Sequence, residues 1–359
     1  MKRKIHIKAP GRICLFGEHQ DYLGLPVISA AISLYIHIKA KQNNKKTFNL
    51  HFQDLNKTES ISLDGQELEY QSKRDYIKSA YNILLRKGYS FKEGYNCQIY
   101  GNIPMGAGAA SSSALTVAWV VFLLNTTRTK LSLPEIADIA HAAEVIEFQE
   151  SGGKMDHTTS VFGNLLYMET REQIFLEHLN AKIREIVLGD SREKKTTVGD
   201  LFRVKTQVLE EIKVLRQKLP EIDLKSTRLK EIEEYLDNSE ISKKIYANII
   251  NRDLTQEAKV LLKDESFDKN KLGVLLNKHH IQLSENLGVS TKKIDSMIDA
   301  ALNAGALGAK INGSGFGGTM FAYAPNYEKE VAKAIRNCGG TPYNISIVSG
   351  VNLHDKSNK

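Results

Sequence analysis

The stretch Tyr95-Asn96-Cys97-Gln98-Ile99-Tyr100, Gly101-Asn102-Ile103-Pro104-Met105-Gly106-Ala107-Gly108-Ala109-Ala110-Ser111-Ser112-Ser113, then Ala114-Leu115-Thr116-Val117-Ala118-Trp119, decides how this chain is read. The first six residues read as a strand, and the apolar run after the serines, through Leu124, reads as a buried helix. Between them Gly106 and Gly108 let the backbone adopt conformations closed to other residues and approach a ligand closely. Ser111, Ser112 and Ser113 open the helix, where unpaired amides and the positive end of the helix dipole favour an anion. A glycine turn before a serine-capped helix is common by itself. Two glycines and three serines exceed what a cap requires, so residues 106–113 are read as a phosphate-binding loop. It is not the GxxxxGK[ST] loop, because Gly153-Lys154 is followed by Met155.

Around this element the chain reads as α+β. Ile5 and Ile7, then Leu34, Ile36 and Ile38, then Phe48, Leu50 and Phe52 are spaced by two, as in strands. Residues 197–264 are charged and helix-periodic. Glycine returns in Gly305 to Gly318, followed by strand-like 319–323, and residues 354–359 read as a frayed tail. With 359 residues, about twice the ~150 of one domain, two domains are expected, 1–190 and 191–359. Hydrophobic residues make up 42% and charged residues 25%, which excludes wholesale disorder. The net charge of +7 is spread among interleaved acids, so no nucleic acid is expected as a partner. No membrane is expected either, since no apolar run nears the ~18 residues of a spanning helix. The start lacks the apolar core of a signal peptide, and Cys14, Cys97 and Cys338 form no CxxC pair, so a reducing cytoplasm is the expected compartment.

Two further segments carry chemistry. In Gly11-Arg12-Ile13-Cys14-Leu15-Phe16-Gly17-Glu18-His19-Gln20-Asp21-Tyr22, carboxylates, imidazole and phenol crowd together after a buried strand. Such a cluster suits a polyol, whose hydroxyls each want a donor or an acceptor. The other pairs Glu144 with Asp156 across Glu150-Ser151-Gly152-Gly153-Lys154-Met155. Glu144 falls roughly 80° from Ile136 on a regular helix, at the edge of the apolar stripe. On periodicity alone it reads as solvated and Asp156 as a turn residue.

These segments, in this order, resemble the GHMP kinases. Residues 11–24 are similar to the galactokinase signature, 103–118 to the family's phosphate loop, and 312–318 to its third, glycine-rich motif. Leu276-Asn277-Lys278-His279-His280 is also galactokinase-like. The resemblance implies an N-terminal domain with a ribosomal-S5-like unit, a ferredoxin-like C-terminal domain, and ATP with Mg²⁺ as cofactors. It implies phosphate-loop binding by Gly106, Ala107, Gly108, Ala109, Ala110, Ser111, Ser112 and Ser113, and Mg²⁺ ligation by Ser112 and Glu144. Asp156 is implied as the residue that takes or orients the acceptor's proton, beside the basic Arg12. Glu18, His19 and Asp21 are implied contacts to sugar hydroxyls. The expected partner is a small sugar or sugar acid, phosphorylated at the anomeric hydroxyl. Two departures stand out: His157 replaces a usual glutamine, and residues 188–197 resemble the mevalonate-kinase strand as much as a galactokinase one. Mevalonate kinase, or a sugar sensor without turnover, are the alternatives.

Overall fold

The computed structural model of the chain describes residues 2–170, 174–193, 197–236 and 239–355. Two sheets organise it. The larger contains β1 (Lys4–Phe16), β2 (Pro26–Gln42), β3 (Thr47–Phe52), β4 (Lys57–Ser62), β5 (Tyr95–Gly101), β6 (Leu165–Thr170) and β7 (Ile174–His178). The smaller contains β8 (Ile186–Asp190), β9 (Gly308–Asn312), β10 (Thr319–Tyr323) and β11 (Thr341–Ile345), all antiparallel, in the order β11-β8-β10-β9. A last strand, β12 (Asn352–Asp355), returns to the larger sheet.

Burial along β1 explains its length. From Lys4 to Lys8 exposed and buried residues alternate, as on a strand with one covered face, whereas Ala9 to Phe16 are buried throughout. The buried half is covered by helices on one side and abuts the smaller sheet on the other. It therefore delivers Arg12, and in the turn just beyond its end Glu18, to the junction of the two sheets.

Of four helices, α1 (Tyr76–Arg86), α2 (Ser111–Thr126), α3 (Leu133–His141) and α4 (Met155–Phe162), α2 and α4 pack on the larger sheet, and α1 and α3 pack against these helices. Their core closes on Phe48, Trp119 and Phe122, and Trp119 Nε1 donates to the Ile77 carbonyl at 2.9 Å. The charged middle of the chain forms α5 (Thr197–Lys218), α6 (Leu229–Ile232) and α7 (Glu240–Leu261), followed by α8 (Lys269–Ile281), α9 (Lys292–Asn303) and α10 (Glu328–Asn337). The α9 and α10 pair covers the smaller sheet around Ile311, Met320 and Ile335.

Three expectations change. Residues 354 and 355 are not frayed: with 352 and 353 they form β12, which pairs antiparallel with Ile5–Lys8 and covers what would otherwise be an open sheet edge. The remaining tail, 356–359, lies outside the described residues. The strand Ile186–Asp190, on the N-terminal side of the expected boundary at 190, pairs within the smaller sheet. Finally, the regular helix assumed in placing Glu144 ends at His141, and 142–146 form a π-helical turn. Among the described residues no helix is long and apolar enough to cross a membrane.

Candidate active site

The glycine loop enters α2 through left-handed backbone at Gly106 (φ 64°), Gly108 (φ 83°) and Ala110 (φ 60°). An alanine in that region is strained, and such strain persists only where surrounding contacts impose it. Those contacts come from the other motifs. Gly108 O accepts from Arg12 Nη1 at 2.5 Å and from Asn312 Nδ2 at 3.0 Å, while Ala107 O accepts from Thr319 Oγ1 at 2.9 Å. Asn312 also accepts the Cys14 amide through Oδ1 at 2.9 Å. One asparagine thus ties the first, second and third motifs together. Of the late glycines, Gly313 lies directly on the loop: a Cβ there would stand 2.7 Å from Gly108 O, at a φ of +77°.

Glu144 lies in the π-helical turn, buried rather than solvated. The extra residue of that turn rotates it off the regular 100° step, which is why periodicity misplaced it. Its Oε2 accepts from His157 Nε2 at 2.7 Å. Burial pushes the carboxyl up, but His157 and the hydroxyls of Ser112 and Ser113 outweigh it and hold the pKa below the usual carboxylate range. Glu144 is thus an anion beside the N-terminus of α2.

A carboxylate and a serine hydroxyl at a helix N-terminus are hard oxygen donors. Mg²⁺ bound with a nucleotide takes one or two protein carboxylates and completes its shell with phosphate and water oxygens. Ser112 and Glu144 fit such an ion. No cluster of three or more His, Cys, Asp or Glu residues suited to a metal exists among the described residues, so the protein alone offers no full cage.

Asp156, in the first turn of α4, pairs with Arg12, whereas its neighbour His157 pairs with Glu144. Arg12 grips Asp156 with Nε to Oδ1 at 2.7 Å and Nη2 to Oδ2 at 2.9 Å. This two-bond fork fixes the plane of the carboxylate. Asp156 keeps 28% of its side-chain surface exposed to the cleft, against 5% for Arg12.

Asp21 stands across from Asp156. Its Oδ1 accepts the Tyr22 amide at 2.9 Å, and the Met155 amide adds a second backbone bond. Burial first, and the Asp156 charge second, push its pKa up to about 6. Among the described residues it has no ion-pair partner. Gly153 is what lets it lie there, because a Cβ at that position would stand 1.9 Å from Asp21 Oδ2.

Glu18 and His19 are turned toward the smaller sheet. Glu18 Oε1 is ion-paired to Lys310 Nζ inside the protein, and its Oε2 lies 3.6 Å from His279 Nδ1. His19, at φ 63°, sets Nε2 3.0 Å from the Ser314 carbonyl and Nδ1 3.2 Å from the Tyr22 hydroxyl. Arg12, Asp21, Ser112, Glu144 and Asp156 therefore converge on one cleft, which Glu18 and His19 also line. Sequence reasoning missed Lys310, Gly153 and the role of His157. Lys310 carried a signal: a cation between Ala309 and Ile311 in a strand buried throughout demands a buried carboxylate.

Comparison with known proteins gives the family. The GHMP kinase N-terminal domain matches residues 75–164, the GHMP kinase C-terminal domain 259–341, and the galactokinase galactose-binding signature 2–42. A mevalonate kinase of Pyrococcus furiosus is 32% identical over 352 residues, covering 94% of this chain and 95% of the relative. A galactokinase of Thermococcus kodakarensis is 27% identical over 335 residues, covering 89% of each. The crystal structure of Lactococcus lactis galactokinase with galactose superposes with a TM-score of 0.84 at 22% identity, covering 97% of this chain and 95% of that one. With its two-domain fold and its motifs converging on one cleft, the chain belongs to the GHMP kinases, phosphotransferases whose phosphoryl donor is ATP.

Proposed function

We propose that this kinase phosphorylates a small sugar or sugar acid at its anomeric hydroxyl. The observation that carries the reading is Asp21: a partly desolvated carboxylate without a counter-ion among the described residues, facing the acceptor end of the cleft beside Asp156. Two carboxylates there suit a ligand that donates several hydrogen bonds, as vicinal hydroxyls do.

In this reading the triphosphate lies on residues 106–113, its charge met by loop amides and the N-terminus of α2. Ser112 and Glu144 would hold Mg²⁺, which neutralises charge on the phosphate oxygens. Asp156 accepts the proton of the attacking hydroxyl as its oxygen bonds to the γ-phosphorus and the bond to the ADP oxygen breaks. Arg12 keeps Asp156 in place and adds positive charge near the transferred group. Phosphoryl transfer depends mainly on such positioning and electrostatics.

A second reading, mevalonate kinase, is favoured by the 32% identity to a protein of that name. It is also favoured by Lys205, whose Nζ lies 5.4 Å from the Tyr22 ring centre at the cleft rim, where a substrate carboxylate could pair with it. The test of the first reading is ADP release with a panel of aldoses and uronic acids, beside their methyl glycosides. The free sugar is turned over and its glycoside, with the anomeric oxygen blocked, is not. Turnover of the glycoside contradicts the anomeric assignment.

A further inference from the structure

Of the residues implied as sugar contacts, Glu18 is the least exposed. Its side chain is 1% exposed and that of Lys310 is 0% exposed. Lys310 Nζ spends its three protons on Glu18, on the Cys14 carbonyl at 3.1 Å and on the Ile311 carbonyl at 2.8 Å. On the other side stands His279, from α8. Its Nε2 accepts the Gly17 amide at 3.2 Å, so the ring proton sits on Nδ1, which points at Glu18 Oε2 from 3.6 Å. Burial and the neighbouring Lys310 and His280 charges hold His279 neutral. Both carboxylate oxygens of Glu18 therefore face groups from the C-terminal half of the chain.

We infer that Glu18 is a positioning residue and not a sugar ligand. Lys310 holds it, with His279 alongside at 3.6 Å and not hydrogen-bonded to it, so that the turn 17–22, which carries Asp21, is held in register with Asp156. The fold supports this on independent grounds. Gly17 (φ 96°) and His19 (φ 63°) are both left-handed, so the turn needs outside contacts to keep its shape. His19 adds to this hold through Ser314, two residues past Asn312 of β9. The acceptor end of the cleft is thus set by the C-terminal sheet, and a buried ion pair supplies the register.

The inference rests on the sugar-kinase reading, and the two fail differently. If wild type turns over no sugar, that reading has failed; this inference fails only through the pattern among variants. The first experiment measures kcat/KM for wild type and Glu18→Gln with the best sugar and its singly deoxygenated analogues. A positioning residue lowers every substrate by the same factor. A ligand leaves one analogue, the one lacking its hydroxyl, unaffected by the substitution, and that result overturns the inference.

The second experiment removes both charges in Glu18→Met/Lys310→Met, leaving no unpaired buried ion, and uses whichever acceptor proves best, mevalonate included. Lys310→Met alone strands Glu18 and is expected to lower thermal stability and raise the acceptor KM at least about tenfold, with the ATP KM unchanged. The double variant is expected to regain stability and return to within about fivefold of wild-type kcat/KM. A larger loss with stability regained assigns Glu18 to the substrate and overturns the inference. A double variant that does not fold overturns it as well, since the two charges would then not be each other's main requirement.

Discussion

Replacing Asp21 by Asn tests the acceptor site through two readouts that move in opposite directions. Burial and the Asp156 charge raise the Asp21 pKa from 3.8 to about 6, which corresponds to about 3 kcal/mol of ionisation cost in the folded state. Partial exposure trims this to roughly 1–3 kcal/mol. The sign follows from linkage. Between the unfolded value of 3.8 and the folded value of about 6, the folded state keeps a proton that the unfolded state has released, so stability falls as pH rises through that window. The asparagine variant lacks this penalty. Its melting temperature should match wild type near pH 4 and exceed it by a few degrees above pH 6.5, at ~2–4 °C per kcal/mol.

Activity should move the other way. Asparagine keeps a carbonyl for one backbone amide but loses a charge-assisted acceptor, and each such bond contributes ~1.5–3 kcal/mol. The expected result is a loss in sugar kcat/KM of ~10–100-fold, with the ATP KM unchanged. In wild type the sugar kcat/KM should decline below about pH 6, where Asp21 takes up its proton, and the variant should lack that limb. Thermal unfolding, run from about pH 4 to 8.5, and coupled ADP release, run from about pH 4.5 to 8.5, supply the readouts. A variant no more stable than wild type at pH 8 would falsify the electrostatic account of Asp21, and an unchanged sugar kcat/KM removes it from the acceptor site.

The other expectations are simpler. Asp156→Asn keeps size but leaves one acceptor where Arg12 uses two, and it cannot take a proton, so kcat should fall ~10²–10⁴-fold while nucleotide affinity, read by calorimetry, persists. Ser112→Ala and Glu144→Gln each weaken an oxygen ligand to the nucleotide's Mg²⁺; both should need more Mg²⁺ for half-maximal activity and bind Mn²⁺–nucleotide more weakly by electron paramagnetic resonance, and full activity at low Mg²⁺ removes them from the metal site. Gly153→Ala drives a methyl group onto the Asp21 carboxylate, 1.9 Å away; the sugar KM should rise at least tenfold with ATP untouched, and an unchanged sugar KM shows that Asp21 can leave without consequence.

What was legible in the sequence was local. The glycine loop, the serines and the apolar helix stand in one stretch, and each residue's reason lies within a few positions of it. Glu144 was illegible from periodicity because a π-helical turn breaks the regular step at that residue; only the family resemblance pointed to it. Asp156 read as a turn residue because its partner, Arg12, lies 144 positions away. The Glu18–Lys310 pair spans 292 positions, so nothing near Glu18 marked it as withdrawn from the cleft. The pairing of β12 with β1 joins the two ends of the chain, a contact to which no short-range pattern points.

The central claim is that the cleft takes a polyol. Its most direct test is kcat/KM for the best aldose or uronic acid against kcat/KM for mevalonate, measured on one preparation at saturating ATP and Mg²⁺. With Asp21 and Asp156 both facing the acceptor, the sugar should win by at least about a hundredfold. If mevalonate matches or exceeds it, the two carboxylates do not select for hydroxyls and the chain is a mevalonate kinase.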